Sequence, residues 1–330
     1  MALPMSESTA SPTAAPAARV MQQRFSDFDE IAESIPDFDS EYVQTECGVT
    51  RCELTRIGLE RLSALRFDEV APGYVYRATA APDTVTLAFL GKPSTDVRWR
   101  GGPVTSSHLV GYGPGAEHVG HSRGSLQAFT LQLGKDALER HAEKLGYELH
   151  WAPCSARSLL PEPRALDGLR QATHYLFSSA ESVRWTLDIP EFRRAQEEAI
   201  LTSVVHSVVP ARERAEQASV SHERAVRRAV EVLEARADEP VYLSELCEAA
   251  AVSERTLRSA FQRIYGVSPI RFLHLHRMTQ VRRALLRADP TTARVSEVAA
   301  RFGFANLGRF AVEFRQLFGQ SPSKLLRSQR

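Results

Sequence analysis

Apolar residues change their spacing along this chain, and the changes divide it into regions. From about Phe25 to Leu133 they alternate with polar residues or come in short runs, at 50–56, 74–78, 84–90, 107–110 and 126–133. Ala-Pro-Gly, Ala-Pro-Asp, Gly-Lys-Pro, Gly-Gly-Pro and Gly-Pro-Gly separate them. Short strands punctuated this way predict an antiparallel sandwich or barrel, whose mouth can hold a small ligand. Beyond Lys135 the spacing becomes helical. Residues 135–145, 164–177 and 191–208 read as amphipathic helices, the last opening after Pro190. They suit a packing layer or a dimer interface. Residues 210–221 (PARERAEQASVS) lack an apolar stripe and read as a linker, after which a helix over 222–236 opens a second domain.

That second domain repeats itself. Leu257, Phe261, Gly266, Ser268 and Pro269 recur 53 residues later as Phe310, Phe314, Gly319, Ser321 and Pro322. Upstream the offset is 52, with Glu245 and Leu246 mapping to Glu297 and Val298, so the second copy has one extra residue in its turn. Such a period indicates a duplicated supersecondary unit. In the first copy Ser244 can cap a short helix over 245–250, Ala251-Val252-Ser253 breaks it, and Ser253 can cap the next. Leu257, Phe261 and Ile264 then form one apolar face, leaving Arg255, Thr256, Arg258, Ser259, Gln262 and Arg263 outside it. In the second copy Gly303 supplies the turn, Asn306 the cap, and Phe310, Phe314 and Leu317 the stripe. Two helices crossing through a short turn, the second polar on its outer face, form a helix-turn-helix that fits the DNA major groove. The units are expected over 243–265 and 295–318, joined by a helix over 269–286.

Charge sharpens the division. From Ser221 onward there are 19 Lys+Arg against 11 Asp+Glu, whereas the first 220 residues hold 22 against 29. A basic module joined to an acidic one suits a polyanion-binding part beside a part that must not stick to the polyanion. Eighteen of the nineteen cations are Arg, the side chain suited to both phosphates and guanine edges. The expected organisation is a disordered tail over 1–24, an effector-sensing and dimerising domain over 25–208, a linker over 209–221 and a DNA-binding domain over 222–330. The first residues (MALPMSESTASPTAAPAARV) lack the basic start and apolar core of a secretory signal, and no run is long enough to span a bilayer. A cytoplasmic protein is expected.

Other chemistry is sparse. His118 and His121, with Glu117 beside them, have a spacing that can serve a metal, but GAEHVGHSRG reads as a turn and no further cluster completes a ligand set. They read as surface or pocket-rim histidines. Trp99, between Arg98 and Arg100, can line an effector pocket with the histidines and pair with an anion, although an amphipathic strand with exposed arginines reads at least as well. Cys47, Cys52, Cys154 and Cys247 match no metal framework and read as buried or half-buried free thiols. Neither a catalytic set nor a cofactor motif is evident.

The paired units, with Gly266-Val-Ser-Pro269, the joining helix IRFLHLHRMTQVRRALL, Val298-Ala-Ala-Arg-Phe-Gly-Phe304 and the closing run 310–322, closely resemble the AraC/XylS family of transcription regulators. The Asn306-Leu-Gly-Arg-Phe310 run is similar to a sub-branch that includes ethanolamine-utilisation regulators. The resemblance covers about the last 100 residues. It implies an α+β chain: a β-rich, often cupin-like sensing and dimerising domain with following helices, then an all-α domain whose two recognition helices enter adjacent major-groove segments of a promoter. Its partners would be double-stranded promoter DNA, RNA polymerase, an unknown small-molecule effector and a second copy of the chain. Arg255, Thr256, Arg258 and Ser259 are the base-reading candidates of the first unit, and Leu307 and Arg309 those of the second. Arg282, Arg283 and Arg315 suit phosphates. Val312 stands where many family members carry a cation, so the second-unit base contacts of other branches do not carry over. The expected function is a ligand-responsive activator. The rivals are a cupin-type metalloenzyme fused to a DNA-binding module and an architectural protein that bends DNA without sequence choice.

Overall fold

The computed structural model describes residues 18–35, 38–92, 96–213, 220–236, 239 and 241–328. In the first region the strands are β1 (Arg19–Phe25), β2 (Phe38–Gln44), β3 (Arg51–Gly58), β4 (Leu62–Ala71), β5 (Tyr74–Ala80), β6 (Thr84–Leu90), β7 (Asp96–Trp99), β8 (Gly102–Pro103), β9 (Leu109–Tyr112), β10 (Glu117–Arg123), β11 (Leu126–Gly134), β12 (Ala156–Leu160) and β13 (Arg212–Glu213). Helices α1 (Phe28–Glu33), α2 (Lys135–Lys144), α3 (Pro163–Ser182) and α4 (Pro190–Val208) accompany them. Among its described residues the C-terminal region, expected to bind DNA, has helices as its only regular elements: α5 (Val220–Ala235), α6 (Leu243–Ala250), α7 (Glu254–Tyr265), α8 (Pro269–Arg287), α9 (Val295–Arg301), α10 (Leu307–Phe318) and α11 (Pro322–Arg327).

Among the described residues the strands form two antiparallel sheets, ordered β1-β3-β4-β11-β6-β9-β12-β13 and β2-β5-β10-β7-β8. Strand alternation sorts their side chains into layers. In the larger sheet Val85, Leu87, Phe89, Phe129 and Leu131 face outward and pack with Leu169, Leu176 and Phe177 of α3 and with α4. Leu54, Leu65, Leu90 and Leu126 face the smaller sheet. That sheet turns Tyr74 and Ala80 back into the sandwich, while Val43 and Val75 join the core of the DNA-binding region. The order of layers is therefore helices, large sheet, small sheet, DNA-binding domain.

Several elements depart from the sequence reading. β1 lies within the stretch read as a tail and pairs with β3 from Arg19↔Gly58 to Phe25↔Cys52, adding an edge strand; residues 1–17 lie outside the described ones. GAEHVGHSRG is not a turn: it holds β10, paired with both β5 and β7. Gly120 there serves close approach, since a Cβ would come 2.5 Å from Tyr76 Cε1 and 2.9 Å from the Arg98 carbonyl. His118 and His121 are accordingly buried, each 3% exposed, rather than on the surface. Ser244 lies inside α6 instead of capping it; the Glu245 carboxylate accepts from Tyr242 N at 2.7 Å. Of the thiols, Cys52 is buried and Cys247 half-buried, but Cys47 and Cys154 are exposed. Most of the linker, 214–219, lies outside the described residues. Among the described residues no helix is long and apolar enough to cross a membrane.

Candidate nucleic-acid interface

Each helix-turn-helix unit is set by its caps and one buried stripe. In the first, Ala251 takes a left-handed conformation (φ 53°) that ends α6, and Ser253 Oγ accepts from Thr256 N at 3.2 Å to start α7. In the second, Gly303 (φ 84°) makes the turn, and Asn306 Oδ1 accepts from Arg309 N at 3.0 Å to start α10. Leu257, Phe261 and Ile264, and their counterparts Phe310, Phe314 and Leu317, are all buried, so one face of each helix is committed to the core. Both helices end in left-handed glycines, Gly266 (φ 69°) and Gly319 (φ 72°), a conformation that favours glycine at a helix end.

The outer faces carry the candidate readers. Arg255, Arg258 and Ser259 of α7 are exposed; Thr256 is half-buried, its Oγ1 3.0 Å from Ser253 Oγ in the cap. Arg258 pairs with Glu254 at 2.9 Å, and Arg309 of α10 with Glu313 at 2.8 Å. Both pairs lie one helical turn apart on exposed surface, where such contacts are weak and exchange readily for a stronger partner. Leu307, Arg309 and Arg315 are exposed, as is Val312 at 57%, an apolar side chain on the outer face of the second recognition helix. Ser259 stands apart, because it lines a cleft with Asp96, Arg98 and Arg123 of the β domain.

The β domain holds both recognition helices at the same place in the repeat. His121 Nδ1 lies 3.0 Å from Ile264 O, and Leu317 O, 53 positions on, accepts from Gln44 Nε2 at 2.5 Å and from Gly48 N at 3.1 Å. Arg123 Nη2 donates to Gly266 O at 3.0 Å. The last carbonyls of a helix have no partner within it, so these donors supply what each helix end needs. The approach is tight: a Cβ on Gly266 would lie 2.8 Å from His121 Nε2, and one on Gly319 2.4 Å from Val49 Cγ2.

Ion pairs frame this contact. Arg282 meets Asp27 at 2.5 Å and Asp29 at 3.7 Å; Arg283 meets Asp29 at 2.7 Å and Glu41 at 2.9 Å. Burial opposes the charge on Arg283, but Asp29 and Glu41 outweigh it and raise the pKa. Arg100 forms two bonds to Glu223, at 3.0 and 2.7 Å, and Arg77 pairs with Glu234. In this arrangement Arg282 and Arg283 face β-domain carboxylates, whereas Arg315 stays exposed.

Glu234 makes the contact sensitive to pH. Burial, with the nearby Glu41 carboxyl, pushes its pKa up to about 7, against the opposing pull of Arg77. A carboxyl whose docked pKa exceeds its free value of 4.5 supports docking fully below that value, and the support fades as pH rises through about 7. Glu41 moves oppositely: burial raises its pKa, Arg283 lowers it further, and the net is downward, so its contribution is lost only in acid. Glu234's share of the docking is thus expected to be larger at pH 6 than at pH 8, whereas His121 and His276, whose pKa values burial lowers, favour docking at the higher value. Small-angle scattering of the full chain beside Glu234→Gln checks this: the variant is expected to gain in docking relative to the native chain as pH rises from 6 to 8, and an unchanged difference between the two would contradict it.

Between the sheets lies a cavity of about 140 Å3 bordered by Tyr42, Tyr76, Trp99, Tyr112, His118 and Ser122 among others. Trp99 and His118, two of the residues expected to line an effector pocket, border this cavity. His121 also borders it, but the strand register turns its ring with Arg98 to the opposite face, toward Ile264. Burial, aided by Arg100, lowers the His118 pKa to about 3, with a backbone contact from Ala116 pulling the other way. Among the described residues no three His, Cys, Asp or Glu side chains gather as a metal set.

Residues 246–328 match a family model described as a helix-turn-helix domain. A probable thc operon regulatory protein of Rhodococcus erythropolis is 46% identical over 103 residues, 31% of this chain and 31% of that protein. A XylDLEGF operon transcriptional activator of Pseudomonas putida is 32% identical over 99 residues, 30% of this chain and 63% of that protein. A solved structure, a probable AraC family transcriptional regulator from Rhodopseudomonas palustris, is 36% identical over 32% of this chain and 97% of that one, with a TM-score of 0.30. This chain spans less than two thirds of the length of either curated relative.

Proposed function

We propose that this chain, a member of the AraC family by its C-terminal domain, is a sequence-specific DNA-binding transcription regulator whose β domain responds to a small molecule. The observation that carries the reading is the pair of capped helix-turn-helix units, each with a buried stripe inside and exposed arginines outside. α7 and α10 enter adjacent major-groove segments. Arg255 and Arg258 present guanidinium forks to guanine O6 and N7, Leu307 and Val312 meet thymine methyl groups, and Arg309 and Arg315 reach base or backbone. Relatives named as transcriptional activators favour activation, with RNA polymerase as the partner.

The wall of the cavity and the hold on DNA-binding helices are two faces of one sheet. His118 faces the cavity and His121, three residues along the same strand, faces α7. A ligand that shifts β10 therefore acts on the hold at Ile264, and through the shared sheet on Leu317. Dimerisation uses the exposed Val183, Trp185 and Ile189 of the α3–α4 connection, with Tyr175 of α3, apolar side chains suited to a second copy. The protein works in the cytoplasm.

Arg258→Ala tests the base-reading assignment. It is expected to relax specificity at one operator position, costing about 1–3 kcal/mol of discrimination there. Competition binding against single-substituted sites measures this. Equal weakening on every sequence would make Arg258 a phosphate contact instead.

A further inference from the structure

The cavity between the sheets allows a statement about its ligand, resting on the reading of the β domain as a sensor. Its volume is about 140 Å3, and a cavity of about 150 Å3 accepts one benzene-sized ring. Its walls are largely aromatic. His118 stacks on Tyr112 at 4.0 Å between ring centres, Trp99 lies 6.3 Å from Tyr112, and Tyr76 lies 5.6 Å from His118 and 6.0 Å from Tyr42. Rings in offset and edge-on arrangements favour a flat guest with its own π face.

The cavity also selects on charge. Arg98 is the one charged side chain among the described bordering residues, and it is 40% exposed, turned outward by the strand register and 3.5 Å from Asp96. Among the described residues no carboxylate or lysine borders the space. His118 is neutral at physiological pH, because burial holds its pKa at about 3. A charged guest would lose its hydration and meet no counter-charge.

Among the buried polar atoms bordering the cavity that make no hydrogen bond to the described residues are Trp99 Nε1, His118 Nδ1 and Ser122 Oγ. Their residues are 4%, 3% and 2% exposed. Buried polar atoms are nearly always partnered, and an indole N–H can only donate. A ligand acceptor satisfies it. We propose that the cavity binds a small uncharged molecule consisting of one aromatic ring bearing a carbonyl-type acceptor, with the ring among the tyrosines and the acceptor on the Trp99 indole N–H.

The test measures binding of benzamide to the full chain by calorimetry at pH 7.5, with benzoate and benzylamine as charged molecules of the same shape and toluene as the ring without an acceptor. Benzamide is expected to bind saturably, and benzoate and benzylamine at least about tenfold more weakly. Trp99→Phe is expected to weaken benzamide about tenfold while leaving toluene unchanged. Benzoate binding as tightly as benzamide overturns the proposal, and so does a Trp99→Phe variant that weakens toluene and benzamide alike. Failure of the folded native chain to bind any of these molecules overturns it too; this comparison needs no variant. Sequence-specific DNA binding is scored on the same preparation. Its absence beside tight benzamide binding would sink the regulator reading and leave the ligand assignment standing, and the converse pattern would do the reverse.

Discussion

Replacing Asp29 and Glu41 together with alanine is expected to weaken the hold on the DNA-binding domain by about 2–4 kcal/mol. The two carboxylates supply the ion-pair partners of Arg283, and Asp29 also faces Arg282. Their side chains are each 25% exposed, so the loss falls below that of a fully buried pair. Asp27 still holds Arg282, and the helix-end bonds at Ile264 and Leu317 remain, so the domains loosen rather than unfold. Freed of acidic neighbours, Arg283 adds to the positive field of the domain, and affinity for DNA rises. The companion variant Arg283→Ala loosens the same contact but removes the cation. If Arg283 touches a phosphate once released, this variant lowers affinity and reduces the salt slope by about 1. Scattering and salt-dependent DNA titrations of both variants measure these effects. Unchanged scattering and affinity in the Asp29/Glu41 variant would show that the ion pairs do not restrain the domain.

Phe314→Ala is expected to destabilise the DNA-binding domain by about 3–5 kcal/mol, the cost of deleting a fully buried ring and leaving a hole. Phe314 is 0% exposed, and its ring centre lies 5.5 Å from that of Phe310 and 4.7 Å from that of Phe318. These rings belong to one core that runs through both units, joined by α8 through Leu275, Met278 and Val281. The loss therefore reaches α7 as well as α10, and DNA binding by both units falls together. Denaturant unfolding of the full chain measures it; a loss below about 1 kcal/mol would mean that the second unit is not a packed part of this core.

The helix-turn-helix units were legible because their determinants are local. Ser253 and Asn306 cap helices that begin one residue later, and the Leu257-Phe261-Ile264 and Phe310-Phe314-Leu317 stripes lie on single helices. The β domain was half legible. 84–90 reads as a strand by its apolar run, but β10 carries Gly, Ser and two His at places set by neighbouring strands. Nothing local marks Gly120 as the point where Tyr76 and the Arg98 carbonyl crowd the chain. The docking contact left no trace in the sequence. Asp29 and Arg283 stand 254 residues apart, and only the fold brings them together. Arginines of α8 beside a DNA-binding repeat read naturally as phosphate contacts, whereas in this arrangement acidic residues from the start of the chain face them. The matching of Ile264 O and Leu317 O was half visible, since the 53-residue offset relates them but their donors come from separate strands and loops.

Selection of binding sites from a random DNA pool by the full chain, at fixed salt, tests the central claim most directly. The account predicts an enriched site with two blocks, about one helical turn apart, bound at least about a thousandfold more tightly than scrambled DNA. Arg258→Ala should blur one block, and Leu307→Ala with Arg309→Ala the other. A pool that shows no enrichment, with equal affinity for scrambled DNA, would contradict sequence-specific regulation and support non-specific DNA bending in its place.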